Sequence, residues 1–492
     1  MGQRIQIDPI TRLEGHGKID IFLYDHGEVA DCFFIVPELR GFETFCVGRP
    51  VEEMPRITSR ICGVCSEAHH LAAAKACDAV YGVDIPPAAK KLRELLYSAF
   101  FTGDHATHFY ILGGPDFVMG PDADPAVRNI LGMIDKLGLD AGKKVIGARA
   151  AAHEIVKILG GKTVHMVSSI PGGVTKGVNA EERERIIALA RELIEFGKFT
   201  VKVLDDVVLA NQAYVDLILS DAYTHKLHSM GTVDEDNRIN FYDGMVRVVD
   251  CNGEEALKYH PRDYLDHVAE HVETWSYLKF PYLKAKGWQG FAAGNQSGLY
   301  RATPLSRLNA ADGMATPLAQ AEYERFYETL TTDASGRTPV HHTLATHWAR
   351  VVELVYAAEH TLELALDDEI LSPDIRIVPT ATPREGVGCV EAPRGTLTHH
   401  YKTDERGILT HVNLIVGTTN NHAAISMSIK KAAKGVIRAG KAITEGMLNQ
   451  IEMAFRAYDP CFACATHSLS GHMPLTVRLR APDGTLLDER SR

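Results

Sequence analysis

Two Cys-x-x-Cys pairs stand near opposite ends of the chain and limit the ways in which it can fold. The first pair is Cys62 and Cys65, and the second is Cys461 and Cys464. Four thiolates that converge from both ends are typical ligands of a soft metal, and they would tie the fold together around it. We therefore predict that the two ends of the chain meet at a buried metal centre.

A single pair of this kind would leave simpler interpretations open. It could be half of a zinc site, a redox-active dithiol, or two small buried side chains. A structural zinc site usually takes both pairs from a short local span, and a thioredoxin-like pair opens a helix within a βαβ unit. Neither context surrounds the pairs in this sequence.

Longer motifs enclose both pairs. Arg60-Ile61-Cys62-Gly63-Val64-Cys65 is followed by His69, and Asp459-Pro460-Cys461-x-x-Cys464 is followed by His467. Six further stretches accompany them: Thr11 to His16, Arg40 to Glu43, His108 to Tyr110 leading to Asp116, Pro171 to Gly173, Ala392 to Gly395, and Thr418 to Asn421. In this order they resemble the large, catalytic subunit of nickel-iron hydrogenases, most like the soluble bidirectional group of NAD-reducing or methyl-viologen-reducing type.

The resemblance implies a fold and a domain organisation. The fold would be α+β and predominantly helical, a bundle of long helices with peripheral β-hairpins and small sheets. Residues 1–467 would form one domain. Residues 468–492 would be a C-terminal extension that a dedicated endopeptidase removes after nickel has been inserted.

The resemblance also assigns metal ligands. Cys62 and Cys461 would be terminal ligands of nickel, whereas Cys65 and Cys464 would bridge nickel to an iron that carries carbon monoxide and cyanide. Three further residues would lie around this cofactor: Pro393, Thr418 and His69. His69 is four residues beyond Cys65 and so shares its helix face. Glu43 and His467 match positions that hold Mg²⁺, and Gly417 replaces the proline more usual at its position.

The implied reaction is the reversible heterolytic oxidation of H2, which needs a group that accepts a proton. The candidates are the Cys461 thiolate and Glu14, since a carboxyl group beside a buried thiolate can accept and release a proton near neutral pH. Arginine is a poor base in water, so we expect Arg394 to act by position and charge. Asp116 and Asp459 are its predicted carboxylate partners.

The electrons need a partner protein. The chain has no further cysteine motif for an iron-sulfur relay and no Gly-x-Gly-x-x-Gly fingerprint. The resemblance implies an iron-sulfur small subunit, with further subunits linked to NAD(P), a deazaflavin or a heterodisulfide. A maturation endopeptidase and nickel-insertion proteins would be additional partners.

Composition sets the outer limits. The 492-residue chain has a net charge of −11, which disfavours a nucleic-acid surface. The absence of an apolar signal segment and of a membrane-length apolar run indicates a cytoplasmic protein. Five other cysteines and two histidine pairs are predicted to be buried or hydrogen-bonded rather than metal ligands: Cys32, Cys46, Cys77, Cys251, Cys389, His341-His342 and His399-His400.

Periodicity predicts a hairpin from residues 18–24 and 29–36, helices over 66–81, 88–112 and 181–219, and a second hairpin in the tail. Two other functional classes stay open. One is a complex I-like subunit without hydrogenase activity, although such relatives lack the four thiols. The other is a zinc-stapled scaffold protein, and elemental analysis would distinguish all three.

Overall fold

The computed structural model describes residues 4–39, 41–331, 338–462, 476–480 and 486–491. The α-helices of these residues are α1 (Phe42–Cys46), α2 (Met54–Thr58), α3 (Ser66–Val80), α4 (Pro87–Thr107), α5 (Pro115–Val118), α6 (Ile130–Leu137), α7 (Leu139–Gly160), α8 (Ala180–Leu204), α9 (Gln212–Leu219), α10 (Tyr264–His267), α11 (Pro304–Ala310), α12 (Pro317–Leu330), α13 (Thr346–Leu366), α14 (His422–Val436) and α15 (Glu445–Arg456). The strands are β1 (Arg4–Ile7), β2 (Lys18–Leu23), β3 (Val29–Ile35), β4 (Ser169–Ile170), β5 (Gly173–Val174), β6 (His228–Val233), β7 (Met245–Val249), β8 (Glu255–Tyr259), β9 (Val268–Val272), β10 (Lys279–Leu283), β11 (Tyr300–Arg301), β12 (Glu385–Ala392), β13 (Gly395–Thr403), β14 (Leu409–Ile415), β15 (Thr476–Arg480) and β16 (Leu486–Ser491). The prediction of a mainly helical α+β fold with small sheets is confirmed.

Four long helices form the centre of the main hydrophobic core. Helix α4 packs against α7 and α13, and α8 packs against the same two helices. On α4 the buried residues Leu92, Leu96 and Ala99 follow the spacing of one helix face. This apolar stripe explains why α4 lies inside the bundle.

An antiparallel sheet of β12, β13 and β14 lies against α3. Gly386 and Gly388 of β12 make this contact possible, since a Cβ at Gly388 would lie 2.1 Å from the carbonyl oxygen of Ala72. The strand runs toward the first residues of α3. The turn between β12 and β13, which carries Arg394, is thereby brought close to Cys65.

The N-terminal hairpin is confirmed as β2 and β3, and β1 adds to it as a third antiparallel strand. Its inner face packs against α14, and Phe34 lies 5.0 Å from Phe462 between ring centroids. The tail hairpin is confirmed as β15 and β16. Among the residues that the structure describes, no helix is both long and apolar enough to cross a membrane.

Two of the predicted helices are shorter than expected. The predicted helix over 88–112 ends at Thr107 and continues as a π-helical turn, His108–Gly113. The predicted helix over 181–219 is divided into α8 and α9 by a second π-helical turn and by Asn211, which caps α9. A π-turn changes the direction of the following side chains, and the second turn, Asp205–Leu209, contains no proline or glycine that a sequence pattern would reveal.

Candidate metal centre

Three thiols from opposite ends of the chain share one buried site. The sulfur atoms of Cys62, Cys65 and Cys461 all lie within 4.8 Å of one another. The Sγ atoms of Cys62 and Cys461 are 3.4 Å apart. The backbone N–H groups of Val64 and Cys65 donate to the Cys62 sulfur at 3.1 and 3.2 Å, a geometry that stabilises a thiolate.

Backbone pairing brings the C-terminal thiol to this site. Glu14 and Cys461 form an isolated parallel bridge, in which Glu14 N–H donates to Pro460 O and Phe462 N–H donates to Glu14 O. The Cys461 N–H also donates to the Thr418 hydroxyl at 3.1 Å. The N-terminal loop and the C-terminal turn therefore fix one another in position.

The Glu14 side chain contacts the metal-ligand candidate directly. The Cys461 thiol donates a hydrogen bond to Glu14 Oε2 at 3.0 Å. Cys461 is fully buried, whereas Glu14 is only partly buried. The carboxyl group thus connects the interior thiol to a less enclosed region of the protein.

Arg394 is held by two buried carboxylates. Its guanidinium donates to Asp104 at 3.2 Å and lies 2.9 Å from Asp459. Burial alone would lower the pKa of Arg394, but these two carboxylates outweigh burial and raise the pKa well above its usual value. Burial raises the pKa of Asp104 to about 6, an effect that Arg394 partly offsets. Arg394 therefore remains a fixed positive charge.

Asp459 also faces His108 from the π-helical turn, with 3.1 Å between Oδ1 and Nδ1. Burial tends to raise the pKa of Asp459, but Arg394 and His108 outweigh it, so the pKa falls below its ordinary value. Burial lowers the pKa of His108 to about 4. His108 is therefore neutral at pH 7, and Asp459 is ionised.

The predicted pairing of Asp116 with Arg394 is wrong, and Asp104 takes that place. Asp116 lies on α5, beyond the π-helical turn, and pairs instead with Arg12 and Arg456. The π-turn directs Asp104 and Asp116 to different neighbours. Asp116 thus anchors the loop that carries Glu14. No spacing in the sequence pointed to Asp104, because its contact with Arg394 joins residues that are 290 positions apart.

The turn from Ala392 to Gly395 is fixed by the motif that contains Thr418. Asn421 donates to the carbonyl oxygen of Arg394 at 2.7 Å. Gly395 has φ +147°, and a Cβ there would lie 2.4 Å from the carbonyl oxygen of Gly417. This close approach requires a glycine at 395 and packs the turn against Gly417, next to Thr418.

His69 is fully buried one turn after Cys65. Its Nδ1 lies 3.2 Å from His399 Nε2, and His399 in turn contacts Tyr401 at 2.6 Å. His400, the second histidine of the pair His399-His400, contacts Glu385 and Tyr264. The predicted hydrogen bonding of this histidine pair is confirmed, and His69 joins the same network.

Glu43, a predicted magnesium ligand, lies in a cluster of charged groups. Lys279 donates to its two carboxylate oxygens at 3.0 and 3.1 Å, and the backbone N–H of Leu414 donates at 2.8 Å. Glu270 lies 3.4 Å from the same ammonium group. The cluster holds two carboxyl groups and one ammonium group, and burial raises the pKa of Glu270.

Two predicted ligands, Cys464 and His467, lie outside the described residues. The five scattered cysteines are buried free thiols, as the sequence predicts: Cys32, Cys46, Cys77, Cys251 and Cys389. The pair His341-His342 is also hydrogen-bonded, to Cys251 O and to the Thr224 hydroxyl.

Comparison with known proteins identifies relatives that match almost the whole chain. A family model described as nickel-dependent hydrogenase matches residues 40–128 and 144–467, and one described as HoxL-like matches residues 4–39. An iron-sulfur subunit of F420-non-reducing hydrogenase from Archaeoglobus profundus is 49% identical over 485 residues, 99% of each chain. The beta subunit of the NAD-reducing hydrogenase HoxS from Cupriavidus necator is 40% identical over 506 residues, 100% of each chain.

A solved structure agrees with these matches. The crystal structure of an NAD+-reducing NiFe hydrogenase in the H2-reduced state superposes with a TM-score of 0.87 and 38% identity, covering 94% of this chain and 99% of the other. The complex I-like and zinc-scaffold alternatives find no support in these relatives. The chain belongs to the nickel-dependent hydrogenase family, in which it is a large catalytic subunit, hence an oxidoreductase that acts on H2.

Proposed function

We propose that Cys62, Cys65, Cys461 and Cys464 hold a nickel-iron centre at which the chain oxidises H2 reversibly. The observation that carries the proposal is the meeting of three buried thiols within 4.8 Å. The donor set fits, because thiolates are soft ligands and none of the three is part of a disulfide. When bound, the centre supplies an open, sulfur-ligated metal that activates H2 for heterolytic cleavage.

The terminal and bridging roles follow the family resemblance. Cys62 and Cys461 would hold nickel as terminal ligands, and Cys65 and Cys464 would be shared between nickel and iron. Pro393 and Thr418 would pack around the carbon monoxide and cyanide of the iron. The hydrogen bond from the backbone N–H of Cys461 to the Thr418 hydroxyl supports this arrangement for Thr418.

The proton leaves through Cys461 and Glu14 in this proposal. The existing hydrogen bond of 3.0 Å gives the proton a direct route from the thiol to the carboxylate. Arg394 does not accept the proton, because Asp104 and Asp459 favour its charged form. It acts as a fixed positive charge beside the reacting groups.

The electrons pass to an iron-sulfur subunit that docks beside the first cysteine pair. Exposed apolar side chains lie on this part of the surface: Phe45 is 52% exposed, Val47 47% and Val64 40%. A groove of about 560 Å³ includes Phe45 and is lined by apolar and charged side chains: Phe42, Phe45, Ile57, Glu53, Arg56 and Arg60. An apolar surface next to a buried metal site suits a permanent partner. Further subunits would connect the pair to NAD(P), a deazaflavin or a heterodisulfide.

Mg²⁺ is proposed to bind at Glu43 and His467. The fit rests on the charge of the cluster, because Glu43 and Glu270 outnumber the one ammonium group of Lys279. A hard oxygen donor suits this ion. Mg²⁺ would add a positive charge near the C-terminal residues of the mature chain.

Maturation would remove the C-terminal extension. We propose that a dedicated endopeptidase cuts after His467 once nickel-insertion proteins have loaded the site, and that this happens in the cytoplasm. The physical reason is that an uncut tail keeps Cys461 and Cys464 accessible for metal loading. Intact-mass measurement on active protein should give a chain that ends at His467. An active, nickel-loaded chain that still carries Arg492 would contradict the cut.

Elemental analysis and infrared spectroscopy of the purified complex test the metal assignment. We expect nickel and iron, with bands from iron-bound carbon monoxide and cyanide. Cys461→Ala should lose nickel and H2 activity, while the control Cys32→Ala, at a buried thiol outside the site, should keep both. Zinc alone in the parent, or full nickel in Cys461→Ala, would refute the proposal.

A further inference from the structure

The guanidinium of Arg307, on α11, uses all five of its N–H groups. Nε and Nη2 donate to the two oxygens of Glu353, both at 2.6 Å. Nη1 donates to Glu391 at 3.0 Å and to the carbonyl oxygen of Ala392 at 2.9 Å. Nη2 also donates to the carbonyl oxygen of Pro393 at 3.1 Å. One side chain therefore holds the two residues that immediately precede Arg394.

The charged groups around Arg307 are buried, and both carboxyl groups contact its guanidinium. The side chains of Arg307, Glu353 and Glu391 are all 0% exposed. Burial raises the pKa of Glu353, but Arg307 and His105 outweigh it, so the pKa ends below its ordinary value. Glu353 is therefore ionised, and its two oxygens hold the Nε and Nη2 groups of Arg307 in a bidentate pair. His105 donates to Glu353 from α4, the helix that also carries Asp104.

The backbone gives Arg307 room for this position. Gly231 of β6 faces α11, and a Cβ there would lie 2.9 Å from Arg307 Cα. On the other side of the turn, Asn421 donates to the carbonyl oxygen of Arg394. The turn from Ala392 to Gly395 is thus fixed between Arg307 and Asn421.

We propose that Arg307 is a positioning residue of the hydrogenase site, which fixes this turn so that Arg394 and Pro393 face the metal centre. The inference rests on the proposed role of Arg394. Lysine cannot replace Arg307, because an ammonium group has three donors and no planar fork. Without Arg307 the turn would keep the Asn421 contact and the pairing of Ala392 with Gly395, but the carbonyl groups of Ala392 and Pro393 would lose their shared donor.

The test compares Arg307→Lys with Arg93→Lys in the purified hydrogenase complex. Arg93 is a matched control, since it is buried, pairs with Asp78 and donates to two backbone carbonyl groups, those of Ile170 and Gly173. It lies eleven residues before Asp104, about 16 Å along α4 at 1.5 Å per residue. Both variants lose a buried fork, but only Arg307→Lys should release the turn.

Three measurements separate positioning from general stability. We expect Arg307→Lys to keep its nickel, to exchange the backbone amides of residues 394–396 at least about tenfold faster, and to broaden or shift the infrared bands of the iron ligands. Its kcat should fall about 10- to 100-fold with little change in KM, as for other small displacements of reacting groups. Arg93→Lys should show none of these changes.

The inference is overturned if Arg307→Lys matches Arg93→Lys in amide exchange and in infrared bands. If Arg307→Lys does not assemble, Glu353→Gln weakens the same fork while keeping Arg307, and the same comparison decides. Arg394→Lys tests the underlying role separately. A fully active Arg394→Lys would refute the role of Arg394, whereas the amide exchange of Arg307→Lys would still report whether the turn is held.

Discussion

Replacing Asp116 with asparagine should destabilise the protein without disturbing Arg394. The Asp116 carboxylate is 2% exposed and accepts hydrogen bonds from Arg12, Arg456 and Asn449. Burial lowers the pKa of Arg456 to about 9, with Asp116 opposing that effect. The substitution Asp116→Asn keeps the shape of the side chain but leaves two guanidinium groups facing each other without their shared negative charge.

The loss in free energy of unfolding depends on which partners Arg12 and Arg456 keep in Asp116→Asn. Removing one member of a buried ion pair typically costs 3–5 kcal/mol. Arg456 keeps its second carboxylate, Glu452, so we expect the lower end, about 3 kcal/mol. That corresponds to a roughly hundredfold shift in the unfolding equilibrium. The backbone amides of residues 11–15 should exchange faster, because Asp116 anchors this loop through Arg12.

Denaturant titration and infrared spectroscopy of the complex measure the two effects. Asp116→Asn should lower the unfolding midpoint and leave the bands of the iron ligands in place. The comparison variant Asp104→Asn should shift these bands, since Asp104 contacts Arg394 directly. The reasoning is refuted if Asp116→Asn keeps the parental midpoint, or if it shifts the bands as Asp104→Asn does.

Three further predictions concern the proton route, the ligands and acid stability. Glu14→Gln should keep nickel but slow hydrogen exchange between H2 and water by about 10²- to 10⁴-fold, and a parental exchange rate would exclude Glu14 as the relay. Cys62→Ala should lose nickel, as measured by elemental analysis, because one terminal thiolate is gone. Burial lowers the pKa of His70 to about 4. Because an unfolded histidine titrates near pH 6.5, the stability due to neutral His70 is complete above that pH and falls by about 3 kcal/mol as the pH drops to 4. The free energy of unfolding of His70→Gln should fall less steeply over this range, and an unchanged slope would contradict the assignment.

The sequence motifs predicted the thiol cluster because metal ligands can be identified by residue type and by their spacing. Cys62, Cys65 and Cys461 meet as expected, and Glu14 contacts Cys461. The partner of Arg394 could not be chosen in the same way. The side chains of Asp104 and Arg394 are separated by 290 residues in sequence, and only the tertiary packing decides which carboxylate reaches the guanidinium.

The breaks in the long helices escaped detection for a related reason. Residues 205–209 form a π-helical turn, although this stretch contains no proline or glycine. The stretch stays rich in apolar residues through the turn, so the sequence still resembles one continuous helix. The role of Arg307 was equally hidden, because its partners lie on strands and helices that are far apart in the sequence.

The separation of Cys62 from Cys461 by 399 residues has a consequence for biosynthesis. A ribosome adds about 5–20 residues per second, so on the order of 20–80 s pass between the synthesis of the first thiol and that of its partner. During this interval the N-terminal cysteines have no opposite ligands. A stable metal site can therefore form only after almost the whole chain has been made. Because Cys461 follows α15, the last α-helix that the structure describes, a loaded metal site would indicate that this helix has packed in place.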